Sequence, residues 1–190
     1  MTDLPQVRLF DKRSPPHIAT LILISALQGM AMNIFLPSLP SMGAHFGTTA
    51  AIMGLSVGVY LAMSAAIQIV AGPVADNIGR RPVILASLAI FCAATVGCIH
   101  APNVTTFMIF RMLQAFAAVG MVLSRAIVRD MLPMEEAGAR IAYVTAGMAV
   151  VPMVAPIAGG LLDEAFGWQA NFWLLCLAGL ALCALTWMDL

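Results

Sequence analysis

Residues 72–84 read GPVADNIGRRPVI, a short polar connection between two long apolar runs. The run before it, residues 51–74, and the run after it, residues 82–100, can each cross the roughly 30 Å hydrocarbon core of a bilayer as a helix. Helices are expected because a lipid-exposed segment must pair its own backbone polar groups. Four further runs of this kind lie at about residues 18–39, 104–124, 138–162 and 170–188. The sequence therefore predicts an all-α integral membrane protein with six transmembrane helices.

The composition excludes a soluble globular domain. Of the 190 residues, 62% are hydrophobic and only 9% are charged, whereas soluble domains carry roughly 25% charged residues. The mean hydropathy of +0.96 is too high for one small core to bury every apolar residue, so many are expected to face the lipid bilayer. The formal net charge of zero gives no reason to expect a nucleic acid partner. The four cysteines lie inside spans without metal-ligand spacing, so no metal or other cofactor is expected.

The basic residues predict the orientation of the spans. Eight of the nine lie in alternating connections: three in residues 1–17, two at Arg80 and Arg81, and three in residues 125–140. The other connections contain no Lys or Arg, and short loops rich in these residues stay in the cytoplasm. Both termini are therefore expected in the cytoplasm, with residues 1–17 as a cytoplasmic segment before the six-span region at residues 18–188.

Arg111 is the one charged residue well inside a span, and Gln114 lies three residues further along nearly the same helix face. Charges inside a membrane are costly and usually face a protein interior or a water-filled path. The alternative is that Arg111 snorkels to the outer interface, along a helix rise of about 12 Å. Gln28, Asn33 and Gln68 are each either an interhelical hydrogen-bond partner or part of a common path with Arg111. These five residues are the candidate substrate and coupling path.

All nine acidic residues lie outside the spans or at their edges. A proton relay usually needs a carboxylate whose pKa changes as its environment alternates. No such group is therefore expected inside these six spans.

Gly54–Gly58 matches the G-x-S-x-G pattern of serine hydrolases around Ser56. That pattern is catalytic on a strand-to-helix turn with a histidine in reach. Here it lies inside an apolar run, and all three histidines are at span ends, so the protein is not expected to be an enzyme. Close helix packing through the two glycines explains the spacing better.

The connection between the second and third runs resembles the G-x-x-x-D-x-x-G-R-R/K signature of the major facilitator superfamily, in the position where that family carries it. The matching residues are Gly72, Asp76, Gly79, Arg80 and Arg81. Gly72 permits close helix approach, Gly79 allows a tight turn, and Asp76 can accept from helix-end amides or pair with an arginine. The resemblance implies that these residues form a cytoplasmic gate that helps to hold one access state.

Two further segments are similar to motifs of that family. Residues 111–114, RMLQ, resemble the fourth-span motif R-x-x-Q-G, with Ala115 in place of the glycine. Residues 33–40, NIFLPSLP, are similar to the D-x-Y-L-P-x-L-P stretch of bicyclomycin and chloramphenicol resistance exporters. Asn33 stands where those relatives carry an acid, so the resemblance leaves proton coupling open.

The fifth run carries a segment similar to a motif of the multidrug proton-antiporter branch. Residues 155–160, APIAGG, resemble G-P-x-x-G-G, with Ala155 in place of the first glycine. The resemblance implies that this helix limits leakage, and that its shape depends on Pro152, Pro156, Gly159 and Gly160.

The family resemblance implies a twelve-helix bundle of two six-helix halves, each made of two inverted three-helix repeats. This chain corresponds to the N-terminal half, and its abrupt end after the sixth run is typical of a fragment. The expected cargo is a small amphipathic substrate. It would be exported across the inner (plasma) membrane by alternating access, with or without proton antiport. The missing C-terminal half or a second copy of the chain is the expected partner. The alternative is a non-transporting truncated or half-size protein that associates with another transporter half.

Overall fold

A computed structural model describes residues 17–131 and 134–189, and the expected cytoplasmic segment 1–17 lies outside these ranges except for His17. Six helical segments in the described residues are long and apolar enough to cross a membrane, as expected. The elements are α1 (Ile18–Asn33), a 3-10 turn (Leu36–Ser38), α2 (Leu39–His45), α3 (Ala50–Ile78), α4 (Arg80–Ile99), α5 (Val104–Gln114), α6 (Ala117–Met131), α7 (Met134–Phe166) and α8 (Gln169–Asp189). Spans 1 and 4 are each built from two helices, whereas spans 2, 3, 5 and 6 are α3, α4, α7 and α8.

Span 1 is interrupted where the sequence carries Pro37 and Pro40. Helix α1 ends at Asn33, and each proline occupies the first turn of the 3-10 or α-helical segment that follows. Proline is accepted there because the first helical turn has no use for its missing N–H. The span therefore continues as helix to His45, beyond the expected limit at residue 39.

Span 4 tightens immediately after Gln114. The amide of Ala115 donates to the carbonyl of Met112 at 3.2 Å, and the amide of Phe116 donates to that of Leu113 at 3.1 Å. These bonds join residues three apart, so the α-helical ladder is broken at this point and resumes with α6. The break places Gln114 at the end of a helix, where its side chain can turn toward the interior.

The helix ends follow from local sequence. The side chain of Thr49 accepts from the amide of Ile52, and that of Asn103 accepts from the amide of Thr106, so both residues are N-caps. Gly79 separates α3 from α4 with a φ of +100°, a conformation that side-chain-bearing residues rarely adopt. The tight turn expected at Gly79 is therefore present.

Close helix contacts occur where a glycine faces another helix. Helix α4 packs along α8, and α1 packs against α6 and α7. A Cβ atom on Gly179 would overlap Cys92 and Phe91 of α4, and one on Gly159 would overlap the carbonyl oxygen of Ile34. Spans 1, 3, 4 and 6 form the packed part of the bundle through contacts of this kind.

Spans 2 and 5 have open faces. In the most apolar 18-residue window of each, only 28% and 11% of residues are buried, against 50% for spans 1 and 4. A Cβ atom on Gly54, Gly58 or Gly72 of α3 would meet no atom within 4 Å. The close approach expected at these three glycines is therefore not made among the described residues, because they lie on the open side of α3.

The spans contact one another through hydrogen bonds at one end of the bundle and through aromatic rings at the other. At the end that carries Arg80 and Arg81, here the basic end, Asp189 accepts from the amide of His17 at 2.9 Å and from the hydroxyl of Thr20 at 2.6 Å. At the opposite end, here the aromatic end, the rings of His45, Phe46, Phe107, Trp168 and Phe172 pack together. These contacts hold the packed spans in register around the interior.

Candidate functional site

Arg111 lies at the centre of the packed spans and is completely buried. Its Nη1 atom donates to the backbone carbonyl of Ala31 in span 1 at 3.2 Å and to the side-chain oxygen of Gln114. Its guanidinium lies close to two rings, with Cζ 4.3 Å from the ring centroid of Phe35 and 4.6 Å from that of Tyr60. The structure therefore places this side chain inside the bundle, and the snorkelling alternative does not describe it.

Gln114 extends the polar cluster to span 3. Its Nε2 atom donates to the hydroxyl of Thr95 at 2.8 Å, and that hydroxyl donates to the carbonyl of Phe91 at 2.7 Å. Gln114 and Thr95 are both fully buried. A chain of hydrogen bonds thus runs from the backbone of span 3 through Gln114 to Arg111, and it fixes which edge of the guanidinium is occupied.

The other three polar candidates differ in position. Gln28 is almost buried, its backbone carbonyl accepts from the hydroxyl of Tyr60 at 3.5 Å, and its side-chain oxygen has no partner among the described residues. Asn33 donates to the carbonyl of Gly29 in its own helix at 2.8 Å. Gln68 is half-buried on α3, one helical turn beyond Ser64. The structure therefore brings Gln28 to the Tyr60 wall of the Arg111 cluster, and it engages Asn33 elsewhere.

No carboxylate of the described residues contacts Arg111. Asp163 accepts from the hydroxyl of Ser41 at the aromatic end at 2.9 Å. Asp130 pairs with Arg80 at the basic end, and Asp76 is exposed there. The acids that the structure describes thus lie at the ends of the bundle, which agrees with their expected places outside the spans or at their edges.

The basic end has a second polar arrangement. Arg80 forms an ion pair with Asp130 at the end of α6, a partner that the sequence did not suggest. Arg81 donates to the backbone carbonyl of Trp187 at 3.0 Å and lies over its indole, 5.1 Å from the ring centroid. The connection after α3 is therefore attached to span 4 through one arginine and to span 6 through the next.

Helix α7 continues through both of its prolines to Phe166. Pro152 is exposed and Pro156 is half-buried, whereas Gly159 is buried against span 1. A Cβ on Gly160 would make ordinary contact with Pro37. Asn171 donates to the carbonyl of Gly159 at 3.2 Å and to the hydroxyl of Ser38 at 2.9 Å. Span 5 therefore contacts the interrupted part of span 1 through Gly159 and Gly160, whereas Pro152 is exposed.

The described residues contain no group of three or more His, Cys, Asp or Glu side chains that could hold a metal ion. What the central cluster offers is a buried cation, hydrogen-bond donors and aromatic faces. Such a set can bind and orient a polar group inside a membrane but includes no nucleophile paired with a base.

Comparison with known proteins identifies the fold. A family model described as Major Facilitator Superfamily matches residues 21–189. The chain belongs to this superfamily. Six spans with a polar residue cluster between them agree with one half of the major facilitator bundle, as the sequence motifs imply.

Three curated superfamily relatives have similar sequences. A chloramphenicol resistance protein of Pseudomonas aeruginosa is 35% identical over 174 residues, which cover 89% of this chain and 42% of that protein. Multidrug resistance protein D of Escherichia coli K12 is 30% identical over 93% of this chain and 46% of that protein. Multidrug resistance protein MdtL of E. coli is 33% identical over 82% of this chain and 40% of that protein. The chain spans less than half the length of these relatives.

Four residues that contact Arg111, Gln114 or Arg80 were not foreseen from the sequence: Phe35, Tyr60, Thr95 and Asp130. Tyr60 and Thr95 each lie within an apolar run, where their polar atoms mark them as candidates. Phe35 follows directly on the interrupted helix α1, and Asp130 lies in a span extension that was taken as connection. Only the packing of the helices brings these residues to Arg111 and Arg80.

Proposed function

We propose that this chain is the N-terminal six-helix half of a secondary transporter of the inner (plasma) membrane that exports small amphipathic compounds by alternating access. The observation that carries the proposal is the buried Arg111 cluster, formed by spans 1 to 4 of a membrane bundle. Ionisable residues at such a depth usually belong to a substrate or ion path. The names of the relatives, which refer to chloramphenicol and multidrug resistance, support export of drug-like compounds.

The candidate path comprises Arg111, Gln114, Gln28, Asn33 and Gln68, with Tyr60, Phe35 and Thr95 as its walls and supports. Proton antiport through this half would lack a titratable acid inside the spans, since Asn33 occupies the place where relatives carry one. Proton coupling therefore requires an acid from another part of the transporter. If no such acid exists, the protein transports without proton coupling. The variant Asn33→Asp tests the first-span position directly. Transport by this variant should become dependent on pH only if an acid at position 33 is what proton coupling lacks in this chain.

The basic end is the proposed gate, and both termini of the chain lie on its side of the membrane in the cytoplasm. Arg80 forms an ion pair with span 4, and Arg81 forms a hydrogen bond with span 6. Gly79 forms the turn that precedes both arginines. An exposed ion pair of this kind contributes little stability, so it can open at little cost. Asp76 is exposed, which leaves it accessible to a partner that docks on α3.

The open faces of spans 2 and 5 are the proposed contact surface for the missing C-terminal half or for a second copy of the chain. Large apolar side chains are exposed on both, among them Ile69 and Leu55 of α3 and Met153 and Ile157 of α7. The open glycines Gly54 and Gly58 would allow a partner helix to approach closely. Lipid is expected to cover the remaining outer surface.

A second candidate function is that of a half-size membrane protein that associates with another transporter half and moves nothing itself. The same open faces favour it, as does the absence of an acid from the path in the described residues. The two functions differ in one result, since the second predicts co-purification with a partner and no transport by the protein.

The deciding experiment expresses the full reading frame that contains this chain in a bacterial strain deprived of its main efflux pumps. Accumulation of a panel of fluorescent amphipathic compounds and growth with chloramphenicol are measured, with and without a protonophore. We expect lower accumulation with the wild-type protein and a loss of this effect in Arg111→Gln. Glu164→Gln is the matched control, because Glu164 is an exposed charge outside both the Arg111 cluster and the proposed gate. Unchanged accumulation of every compound, with the protein present in the membrane, would contradict transport and favour the second candidate.

A further inference from the structure

The guanidinium of Arg111 has one occupied edge and one unoccupied edge. Nη1 makes both hydrogen bonds, to Ala31 and Gln114. Nε and Nη2 are buried and have no hydrogen-bond partner among the described residues. These two atoms lie side by side along one edge of the planar group and point their N–H bonds in nearly parallel directions. Two parallel donors at this spacing match the two oxygens of a carboxylate.

The charge of Arg111 is not balanced by the side chains that the structure describes. Burial of a single cation costs several kcal/mol even after the protein has relaxed. The rings of Phe35 and Tyr60 can each return about 2 kcal/mol when desolvated, and two neutral acceptors add part of the remainder. A bound anion would therefore stabilise this cation strongly, because the attraction between opposite charges is strongest where water is excluded.

The guanidinium lies close to two aromatic rings. Its Cζ atom lies over the ring of Phe35 and over that of Tyr60. An apolar crevice of about 610 Å³ runs between spans 2, 3 and 4, and it begins on α3 at Met63, one turn from Tyr60. Its lining includes Ile67 of α3 and Phe116, which follows Gln114 at the break in span 4. Arg111, Phe35 and Tyr60 do not line this crevice, so the two rings are the apolar surface beside the charge. A ligand with an anionic head and an apolar body matches a cation that lies beside two aromatic rings.

We propose that the substrate class of this transporter is an amphipathic carboxylate, whose carboxylate pairs with Nε and Nη2 of Arg111 and whose apolar body lies against the rings of Phe35 and Tyr60. The proposal rests on the proposed function, since it names the cargo of the same site. Arg111 is fully buried in the present state, so entry requires a neighbouring side chain to move.

Binding of three compounds that share one ring system tests the proposal: 1-naphthoate, its neutral amide 1-naphthamide, and the cation 1-naphthylmethylammonium. The full-length protein in lipid nanodiscs is titrated with each compound by calorimetry, with no gradient present. We expect wild-type protein to bind the carboxylate at least about tenfold more tightly than the amide and to bind the cation least. Arg111→Gln should weaken naphthoate binding by about 100-fold, or about 2.8 kcal/mol, and leave amide binding unchanged.

Two variants complete the test. Arg111→Lys retains the charge and loses the paired donors, so naphthoate binding should fall by about tenfold, between the wild type and Arg111→Gln. Arg129→Gln removes an exposed cation and should leave all three affinities unchanged. Gel filtration and the thermal transition of each variant report whether it is folded, and amide binding does so at the site itself.

Equal affinity for naphthoate and naphthamide, or naphthoate binding that survives Arg111→Gln, overturns the proposal. Such a result is also expected if a carboxylate from another part of the transporter already pairs with Arg111. The outcome is separable from that of the proposed function. Transport of cations or neutral compounds without naphthoate binding removes this inference alone, whereas naphthoate binding without transport of any compound removes the proposed function and leaves an anion site.

Discussion

Two arginines in this bundle are held in opposite ways. Arg80 lies at the basic end, pairs with Asp130, and remains partly accessible to solvent. Arg111 lies in the interior with no solvent exposure, and it contacts two rings, a carbonyl and an amide but no acid among the described residues. The first charge is balanced within the chain at a site where charges cost little. The charge of Arg111 is unbalanced among the described residues at a site where burial of a charge costs most. This difference supports the proposal that Arg80 belongs to the gate and that Arg111 recognises a ligand.

The largest effect is expected from Gly159→Ala, which tests whether packing holds the interior site. The new methyl group would overlap the carbonyl oxygen of Ile34, next to the Phe35 wall. We expect the variant to lose about 3 kcal/mol of stability, because a crowded backbone contact has no flexible side chain to move aside. Gly138→Ala is the matched control, since a methyl group there meets nothing within 4 Å and the residue lies outside the open faces of spans 2 and 5. The thermal transitions of both variants check the prediction, and similar values for the two would contradict it.

A smaller effect of opposite sign is expected from Arg111→Met. Replacing a buried charge by an apolar side chain of similar length often stabilises a protein, by about 2 kcal/mol in comparable cases. We therefore expect a higher melting temperature together with the loss of transport. A melting temperature well below that of the wild type would mean that Arg111 is balanced in the native protein and serves its structure.

Thr95→Val should act on the same region with a smaller magnitude. The substitution removes the acceptor of the Gln114 amide while keeping the shape of the side chain. The expected cost is about 0.6 kcal/mol, the average for hydrogen bonds between membrane helices. Naphthoate affinity should fall by about threefold, since Gln114 would no longer be held against Nη1 of Arg111. Unchanged affinity in the calorimetric titration would separate Gln114 from the positioning of Arg111.

The smallest effect on stability is expected at the basic end. Exchanging the charges by Arg80→Asp together with Asp130→Arg keeps the pair, and each single change breaks it. Because Asp130 is half-exposed, the coupling between the two residues should not exceed about 0.5 kcal/mol and should decrease with salt. Transport, by contrast, should be lost in the single variants and recovered in the exchanged pair. Full activity of Asp130→Asn would contradict the gate at this pair.

Much of the fold could be predicted because the spans follow from length and composition alone. A helix that crosses the membrane needs about 20 apolar residues, and each of the six runs has them. The interruption of span 1 was signalled by Pro37 and Pro40, but its continuation as helix to His45 was not. The break after Gln114 carries no proline and no glycine, so the sequence did not signal it.

The site could be predicted only in part. Arg111 and Gln114 stand out because polar residues are rare in an apolar run, and their contact follows from helical spacing. The partners from other helices, Tyr60 and Thr95, could not be assigned because one sequence does not specify which faces meet. The sequence offered Asp76 two roles, as an acceptor of helix-end amides or as a partner of an arginine. The partner of Arg80 in the structure is Asp130, which α6 brings from a distant position in the chain.

Counterflow in proteoliposomes tests most directly whether Arg111 is the recognition site of a transporter. Vesicles that contain the full-length protein are loaded with unlabelled 1-naphthoate, and entry of the radiolabelled compound is followed in the absence of any gradient. We predict rapid exchange of naphthoate by the wild type, little exchange of naphthamide, and loss of naphthoate exchange in Arg111→Gln but not in Glu164→Gln. Naphthoate exchange that is undiminished in Arg111→Gln would contradict the assignment.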